Sequence, residues 1–215
     1  IIAYLQQNNR DQSFKDFDDS FAGLFVRIIR RDISNGNLLR AGSLIPLTKE
    51  WYPENGDLWL TYVNYYLRND QRKEALEAAK RAIPLNEKSV PEVRAQLYFT
   101  AGNLAVEKAP MDALEYYKEA ARIDSNFYGA QFNIGVIYAR LGRGAAEQAM
   151  EVQNSNPQQA QQLVNKKNNY FKLALPYLEK AYHLKPSATL KENISNIYMD
   201  LDNPDQAKAW RLRQP

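Results

Sequence analysis

The sequence predicts an all-α fold built from helix pairs, on three observations. Apolar side chains recur at steps of three and four in Phe14, Phe17, Phe21, Leu24, Phe25, Ile28 and Ile29, the spacing of one buried helical stripe. Small residues mark a series of later helices at Ala41, Ala75, Ala113 and Ala174, and the first of these intervals is 34 residues. The stretch from Asn126 to Pro186 sets Ile134, Gly135 and Tyr138 on one helix face, then Ala174, Leu178 and Ala181 on another, and closes at Pro186. Small residues let two backbones approach, a larger one fills the gap, and proline ends the hydrogen-bond ladder.

In chain order, Ile1 to Asn9 reads as a short helix broken by Asn8, Asn9 and Asp11. A long helix runs from Ser13 to the turn chemistry of Ser34-Asn35-Gly36. A second helix, from about Asn37 to Trp51, carries Ala41, Ile45 and Thr48, with Pro53 after it. Pro46 inside that helix is expected to kink it. Residues 14–55 form a divergent first repeat, in which Asp32 sits where a packing tyrosine belongs.

The second repeat, residues 56–89, places Trp59, Tyr62, Val63 and Tyr66 on its first helix. Asn69-Asp70 makes the turn, and Ala75, Ala79 and Ala82 face back from the second helix. About five extra residues around Lys88 to Arg94 lengthen the next loop. In the third repeat, residues 95–126, Tyr98, Ala101, Gly102 and Ala105 meet Ala113, Tyr117 and Ala120 across a turn that is about one residue short. The interval of 38 from Ala75 to Ala113 agrees with both adjustments.

The fourth repeat, residues 127–187, is longer, because Ala113 and Ala174 are 61 apart. The excess is residues 143–169, helix-forming on both sides of Asn154-Ser155-Asn156-Pro157. Asn156 suits an N-cap and Pro157 a first helical position, so the insert reads as a helical hairpin. Its arms would project on the order of 20 Å. Ala145, Ala149 and Val152 would face Ala160, Leu163 and Val164 along a thin seam with a mobile tip, and Gly142 and Gly144 would hinge it. The alternative is a disordered insertion rich in Gln and Asn. The last repeat, residues 188–215, carries Ile194, Tyr198 and Ala207, with Asn203-Pro204 opening its final helix. Trp210 and the polar end Arg211-Leu212-Arg213-Gln214-Pro215 read as a cap with a wet outer face. The repeats together make one domain, residues 1–215.

Composition narrows the chemistry. The 215 residues are 45% hydrophobic and 25% charged, which fits neither a disordered nor a membrane-spanning chain. A net charge of +3 without a Lys/Arg cluster argues against nucleic acid, and no apolar run reaches membrane-spanning length. Cysteine is absent, so there is no disulfide or thiolate site. The start at Ile1 reads as a processed or trimmed form. His183 is the only histidine, beside Lys185, and reads as a surface or packing residue; triads and His-rich metal sites lack their parts. Gly142-Arg143-Gly144 lacks the strand and the Gly-Lys-Ser/Thr of a phosphate loop, and Asp16, Asp18 and Asp19 lack the other parts of an EF-hand. The expectation is therefore no catalytic residue, no metal, no cofactor and no enzyme.

The helix opened by Asn126-Phe127 and the Ala174, Leu178, Ala181, Pro186 helix resemble the tetratricopeptide repeat (TPR). Its pattern is a Trp-x2-Leu-Gly-x2-Tyr helix followed by an Ala-x3-Phe helix ending at Pro. The resemblance covers about residues 36–211. The tracts EWYPENGDLWLTYVNYYL and LALPYLEKAYHLKP, with the insertion in the penultimate repeat, are similar to a bacterial TPR subgroup often exported to the cell envelope. The resemblance implies a right-handed TPR α-solenoid of about five helix pairs with one extended hairpin. It implies a location in the periplasm or cell envelope, with the cytoplasm as the alternative.

It also implies that the first helices line a concave groove, and helical phase then selects the groove residues. These are Leu60, Asn64 and Arg68; Phe99, Asn103 and Glu107; Phe132, Asn133, Val136 and Arg140; and Glu192, Asn193, Asn196 and Met199. The rings of Phe99 and Phe132 would take apolar side chains, or else pack between repeats. The Asn amides would hold a peptide backbone without reading its sequence. Phe99, Asn103, Phe132 and Asn133 are expected to form one patch. Asn103 and Asn133 match the two asparagines of a chaperone-type carboxylate clamp, but Phe99, Thr189 and Asn193 occupy its basic positions, so the clamp is unsupported. The expected function is a non-enzymatic adaptor or scaffold binding a protein or peptide partner. The alternative is a structural element that forms homo-oligomers through the hairpin.

Overall fold

The computed structural model describes the backbone of residues 12–213 and the side chains of residues 20–213. Among them are ten α-helices and no strand, so the fold class is all-α as expected. The short helix expected over Ile1 to Asn9 lies outside the described residues. The described residues form two compact units that divide between Leu104 and Ala105.

The first unit holds α1 (Gln12–Ser34), α2 (Leu38–Trp51), α3 (Gly56–Arg68), α4 (Arg72–Leu85) and, but for its last residue, α5 (Pro91–Ala105). Gly36 ends α1 with φ at 77°, and the Asn37 N–H reaches back to the Asp32 carbonyl at 2.8 Å. Such a left-handed residue is the usual glycine stop of a helix. Asp70 makes the turn between α3 and α4 at φ 54°, a conformation that aspartate tolerates better than most residues. Helix α2 continues across Pro46, which sits on its exposed side, while Ala41, Ile45 and Thr48 are buried. Asp32 is buried in the tyrosine position and is held by an ion pair, 3.4 Å from Arg40 Nε. That partner lets the divergent first repeat keep a carboxylate in its core.

Tyr62 is fully buried, and its hydroxyl donates to Thr48 Oγ1 at 2.7 Å. Thr48 Oγ1 in turn donates to the Leu44 carbonyl at 2.8 Å. Burial pushes the Tyr62 phenol from 10.0 up to about 12, against the opposing effect of the Thr48 bond. The fold thus favours the neutral phenol. Its contribution is complete below about pH 10 and is lost as the pH rises through about 12. The expected loss is on the order of 2–3 kcal/mol. Urea denaturation across that interval should show a steeper alkaline decline for the wild type than for Tyr62→Phe. Equal declines would place the sensitive group elsewhere.

The second unit holds α6 (Pro110–Ile123), α7 (Tyr128–Val152), α8 (Pro157–Leu184), α9 (Ala188–Asp200) and α10 (Pro204–Leu212). Its centre is the long pair α7 and α8. Gly135 is the close-contact point: a Cβ there would lie 2.5 Å from Leu178 Cγ and 3.2 Å from the Leu178 nitrogen. Leu178 therefore seats directly on the α7 backbone, with Ala174 and Ala181 buried one turn to either side. The contact repeats seven residues along each helix, where a Cβ on Gly142 would meet Phe171 at 2.5 Å. Gly142 is thus a packing residue inside a continuous helix rather than the hinge the sequence suggests.

The insert is a helical hairpin. Asn156 caps α8, its Oδ1 accepting from the Gln159 N–H at 3.1 Å, and Pro157 is the first helical residue. Ala145, Ala149 and Ala160 are buried in its seam. The last pair repeats the turn chemistry, with Asp202 at φ 55° and Asn203 capping α10. Trp210 departs from expectation. It is 2% exposed, edge-on to Tyr182 at 5.2 Å and covered by the Arg213 guanidinium at 4.0 Å.

Candidate functional site

In the first unit, α3 presents Leu60, Asn64 and Arg68 in one row, since residues four apart share a helix face. Leu60 and Asn64 line a hollow of about 330 Å³ with Val63, with Arg30 of α1, and with Glu92, Val93, Gln96, Leu97 and Thr100 of α5. A second hollow of about 450 Å³ lies between α1 and α3, lined by Arg30, Ile33, Ser34, Asn64, Leu67 and Arg68. Asn64 and Arg30 border both.

The floor is apolar, from the buried Val63 and Leu97 and the half-buried Leu60. The rim is polar and organised. Arg30 Nε donates to Thr61 Oγ1 at 3.2 Å, which draws the guanidinium across from α1 to α3. Thr100 Oγ1 donates to the Gln96 carbonyl at 2.8 Å. Among the described residues neither Arg30 nor Arg68 is in an ion pair. An apolar floor with convergent amides, hydroxyls and cations suits a peptide: side chains enter the floor while the backbone meets the rim.

Phe99 and Asn103 line neither hollow. The buried stripe of α5 is Ala95, Leu97, Ala101 and Leu104, whereas Tyr98, which the sequence placed inward, is half-buried. That phase turns Gln96 and Thr100 to the hollow. Asn103 is exposed, with its backbone carbonyl accepting from Arg72 Nη2 at 3.1 Å. Arg30 was missed, although it lies one 34-residue period before Asn64.

In the second unit, Phe132 and Val136 are half-buried and border only a narrow crevice of about 20 Å³, with Leu178, Leu190 and Ile197. That is room for about one water and not for a partner's side chain. Phe132 also stacks on Tyr128 at 5.8 Å, and Lys185 Nζ lies 5.7 Å from the Tyr128 ring. Asn133 shares a side-chain hydrogen bond with the buried Tyr117, whose phenol is raised by burial and opposed by that bond. Its amide is thereby tied to α6. Arg140 and Asn196 are exposed. His183 is exposed, with its ring 6.0 Å from Tyr182 and 6.3 Å from Trp210. No helix among the described residues is long and apolar enough to cross a membrane.

No protein-family model matches the sequence, and no curated protein matches it. Solved structures do. The crystal structure of MamA, a TPR protein, is 16% identical, with a TM-score of 0.60 over 88% of this chain and 87% of that one. A second MamA structure, also 16% identical, has a TM-score of 0.57 over 86% of this chain and 90% of that one. A Bacteroides ovatus protein, provisionally described as protein-binding, is 14% identical, with a TM-score of 0.55 over 85% of this chain and 99% of that one. At such identities the likeness concerns the fold. The chain has the all-α TPR fold.

Proposed function

We propose that this chain is a non-enzymatic adaptor or scaffold that holds a segment of a protein partner against α1, α3 and α5. The observation that carries this reading is the pair of adjoining hollows bordered by Arg30 and Asn64. The Val63 and Leu97 floor offers hydrophobic contact, and the Asn64 and Gln96 amides offer hydrogen bonds to a peptide backbone. The TPR fold, and its likeness to a protein provisionally described as protein-binding, support the same class of function.

In this reading Leu60, Asn64 and Arg68 carry the groove, joined by Arg30, Gln96 and Thr100. On the second unit, Arg140 and Asn196 are the exposed side chains offered to a partner. Asn133 contributes through its hold on Tyr117.

Peptides selected from a displayed random library on the whole chain test it. Asn64→Ala combined with Gln96→Ala should weaken the selected peptides about 10- to 100-fold, the effect of losing one to two hydrogen-bonding groups. Circular dichroism of that variant should be unchanged, because both side chains are exposed. Peptides that bind this variant as tightly as the wild type would remove the groove from this role.

A further inference from the structure

We propose that the partner segment held by the first unit is acidic. An apolar side chain enters the hollow between α3 and α5, and an internal Asp or Glu carboxylate enters the hollow between α1 and α3. This deepens the groove reading and rests on it.

The two hollows share an edge and differ in character. The one between α3 and α5 has the apolar floor of Val63 and Leu97, and Glu92 is its one acid. The one between α1 and α3 is lined by Arg30, Ile33, Ser34, Asn64, Leu67 and Arg68, two cations with no carboxylate. Arg30 and Ser34 are four apart on α1, and Asn64 and Arg68 are four apart on α3, so each pair shares a face of its helix. Asp32, only two residues from Arg30, is turned to the other side of α1, where it meets Arg40.

Several cations of this chain are matched to acids: Lys80 to Glu77, Arg81 to Glu54, Lys118 to Glu115 and Arg122 to Glu119. Among the described residues, Arg30 and Arg68 are in no ion pair. Arg30 is nonetheless held in place. Its Nε donates to Thr61 Oγ1 at 3.2 Å, and that buried hydroxyl donates to the Asp57 carbonyl at 2.7 Å. The bond engages Nε alone and leaves both Nη groups to grip a carboxylate. A guanidinium fixed before the ligand arrives loses less freedom on binding. Arg68, Asn64 and Ser34 bring a second cation, an amide and a hydroxyl to the same hollow, and all three are exposed. A carboxylate accepts from every one of these donors, whereas an ammonium would meet two like charges.

The placement of the hollows sets the spacing of the motif. On α3 one is reached from Leu60, Val63 and Asn64, the other from Asn64, Leu67 and Arg68, an axial offset of ~6 Å. They lie on opposite sides of α3, which adds a lateral offset of about one interhelix distance, ~8–10 Å. A separation on the order of 10 Å is bridged by about three residues of an extended chain. The motif is therefore an apolar and an acidic residue about three positions apart. Glu92 beside the apolar hollow repels a carboxylate there, so the two side chains are not interchangeable.

Peptides selected by display on the whole chain are resynthesised with an N-terminal fluorophore and an amidated C-terminus, so that only side chains carry carboxylates. Fluorescence anisotropy then reads their affinity. The selected peptides should carry Asp or Glu near an apolar residue, and exchanging that acid for Asn or Gln should weaken binding at least about tenfold. Arg30→Gln with Arg68→Gln should weaken the acidic peptide by a similar factor and leave its amide counterpart unaffected. Added salt should weaken the acidic peptide more than the amide one. Arg68 is exposed and in no ion pair among the described residues, so Arg68→Glu should keep the wild-type circular dichroism and shift preference toward a peptide with Lys in place of the acid. Neutral or basic peptides that still depend on Asn64 and Gln96 would overturn this inference and leave the groove reading standing. Peptides indifferent to Asn64→Ala with Gln96→Ala would remove both. Affinity that disappears on amidation would assign the site to a chain terminus instead of an internal acid.

Discussion

Leu178→Ala is expected to lower stability by about 2–5 kcal/mol, the range for a large buried side chain truncated where the site collapses only in part. Leu178 is 2% exposed and lies against the α7 backbone at Gly135. Gly135→Ala is expected to destabilise as well. Its new methyl would meet Leu178 Cγ at 2.5 Å, and the nearby Leu178 nitrogen belongs to a backbone that cannot swing aside. Overpacking of this kind costs about 1–3 kcal/mol, offset in part by roughly 1 kcal/mol of helix propensity gained over glycine. The two changes should not add. In the double variant the methyl introduced by Gly135→Ala would enter space vacated by Leu178, with a coupling of about 1–3 kcal/mol in favour of the pair. Denaturant unfolding of all four proteins measures that coupling. Simple additivity would mean that the two helices are kept together by other contacts.

This contact is also where the sequence was most informative. Gly135 and Leu178 are 43 residues apart, yet the repeat ties them: a glycine at a fixed place on a first helix and an Ala-Leu-Ala series on the second. The turns were equally readable, because Gly36, Asp70 and Asn156-Pro157 act on their own backbone. Local chemistry and a repeated pairing together specify the helix pairs.

What the sequence did not disclose depends on helix rotation and on distant partners. Phe99 and Asn103 follow Gln96 and Thr100 by three residues, so a phase error of only about 60° on α5 exchanges one pair for the other. The repeat pattern around Tyr98 is too weak to exclude that error. Asn133 was chosen by phase as a groove amide, but the Tyr117 hydroxyl from α6 engages it. Gly142 has the composition of a hinge, and only the Phe171 ring, 29 residues later, makes it a contact point. Asp32 looked like a misfit because Arg40, its ion-pair partner, lies on the next helix.

The chain's end illustrates the same limit with a larger consequence. Trp210→Ala is expected to cost about 3–5 kcal/mol, the range for a buried tryptophan. The polar end of the sequence suggests a wet cap, on which a substitution should stay within about 0.5 kcal/mol. The structure instead closes a small core over this ring. Tyr182 meets it edge-on from α8 and the Arg213 guanidinium covers it. Ala207, three residues earlier on the same helix, is also buried. Helix α10 has nine residues, too few to persist without tertiary contacts, so losing the ring should release the helix before the rest of the unit unfolds. Hydrogen exchange should therefore report lost protection first in α10. Protection in α9 should fall next, because the buried Ser195 hydroxyl donates to the Ala207 carbonyl at 2.8 Å and accepts from Arg211 Nε at 3.0 Å. Arg213→Ala should show the same order of loss with a smaller effect, about 0.5–2 kcal/mol for a cation over an aromatic face. If Trp210→Ala leaves exchange in α10 unchanged, the helix is held by Ala207 and its hydrogen bonds, and the ring only shields them.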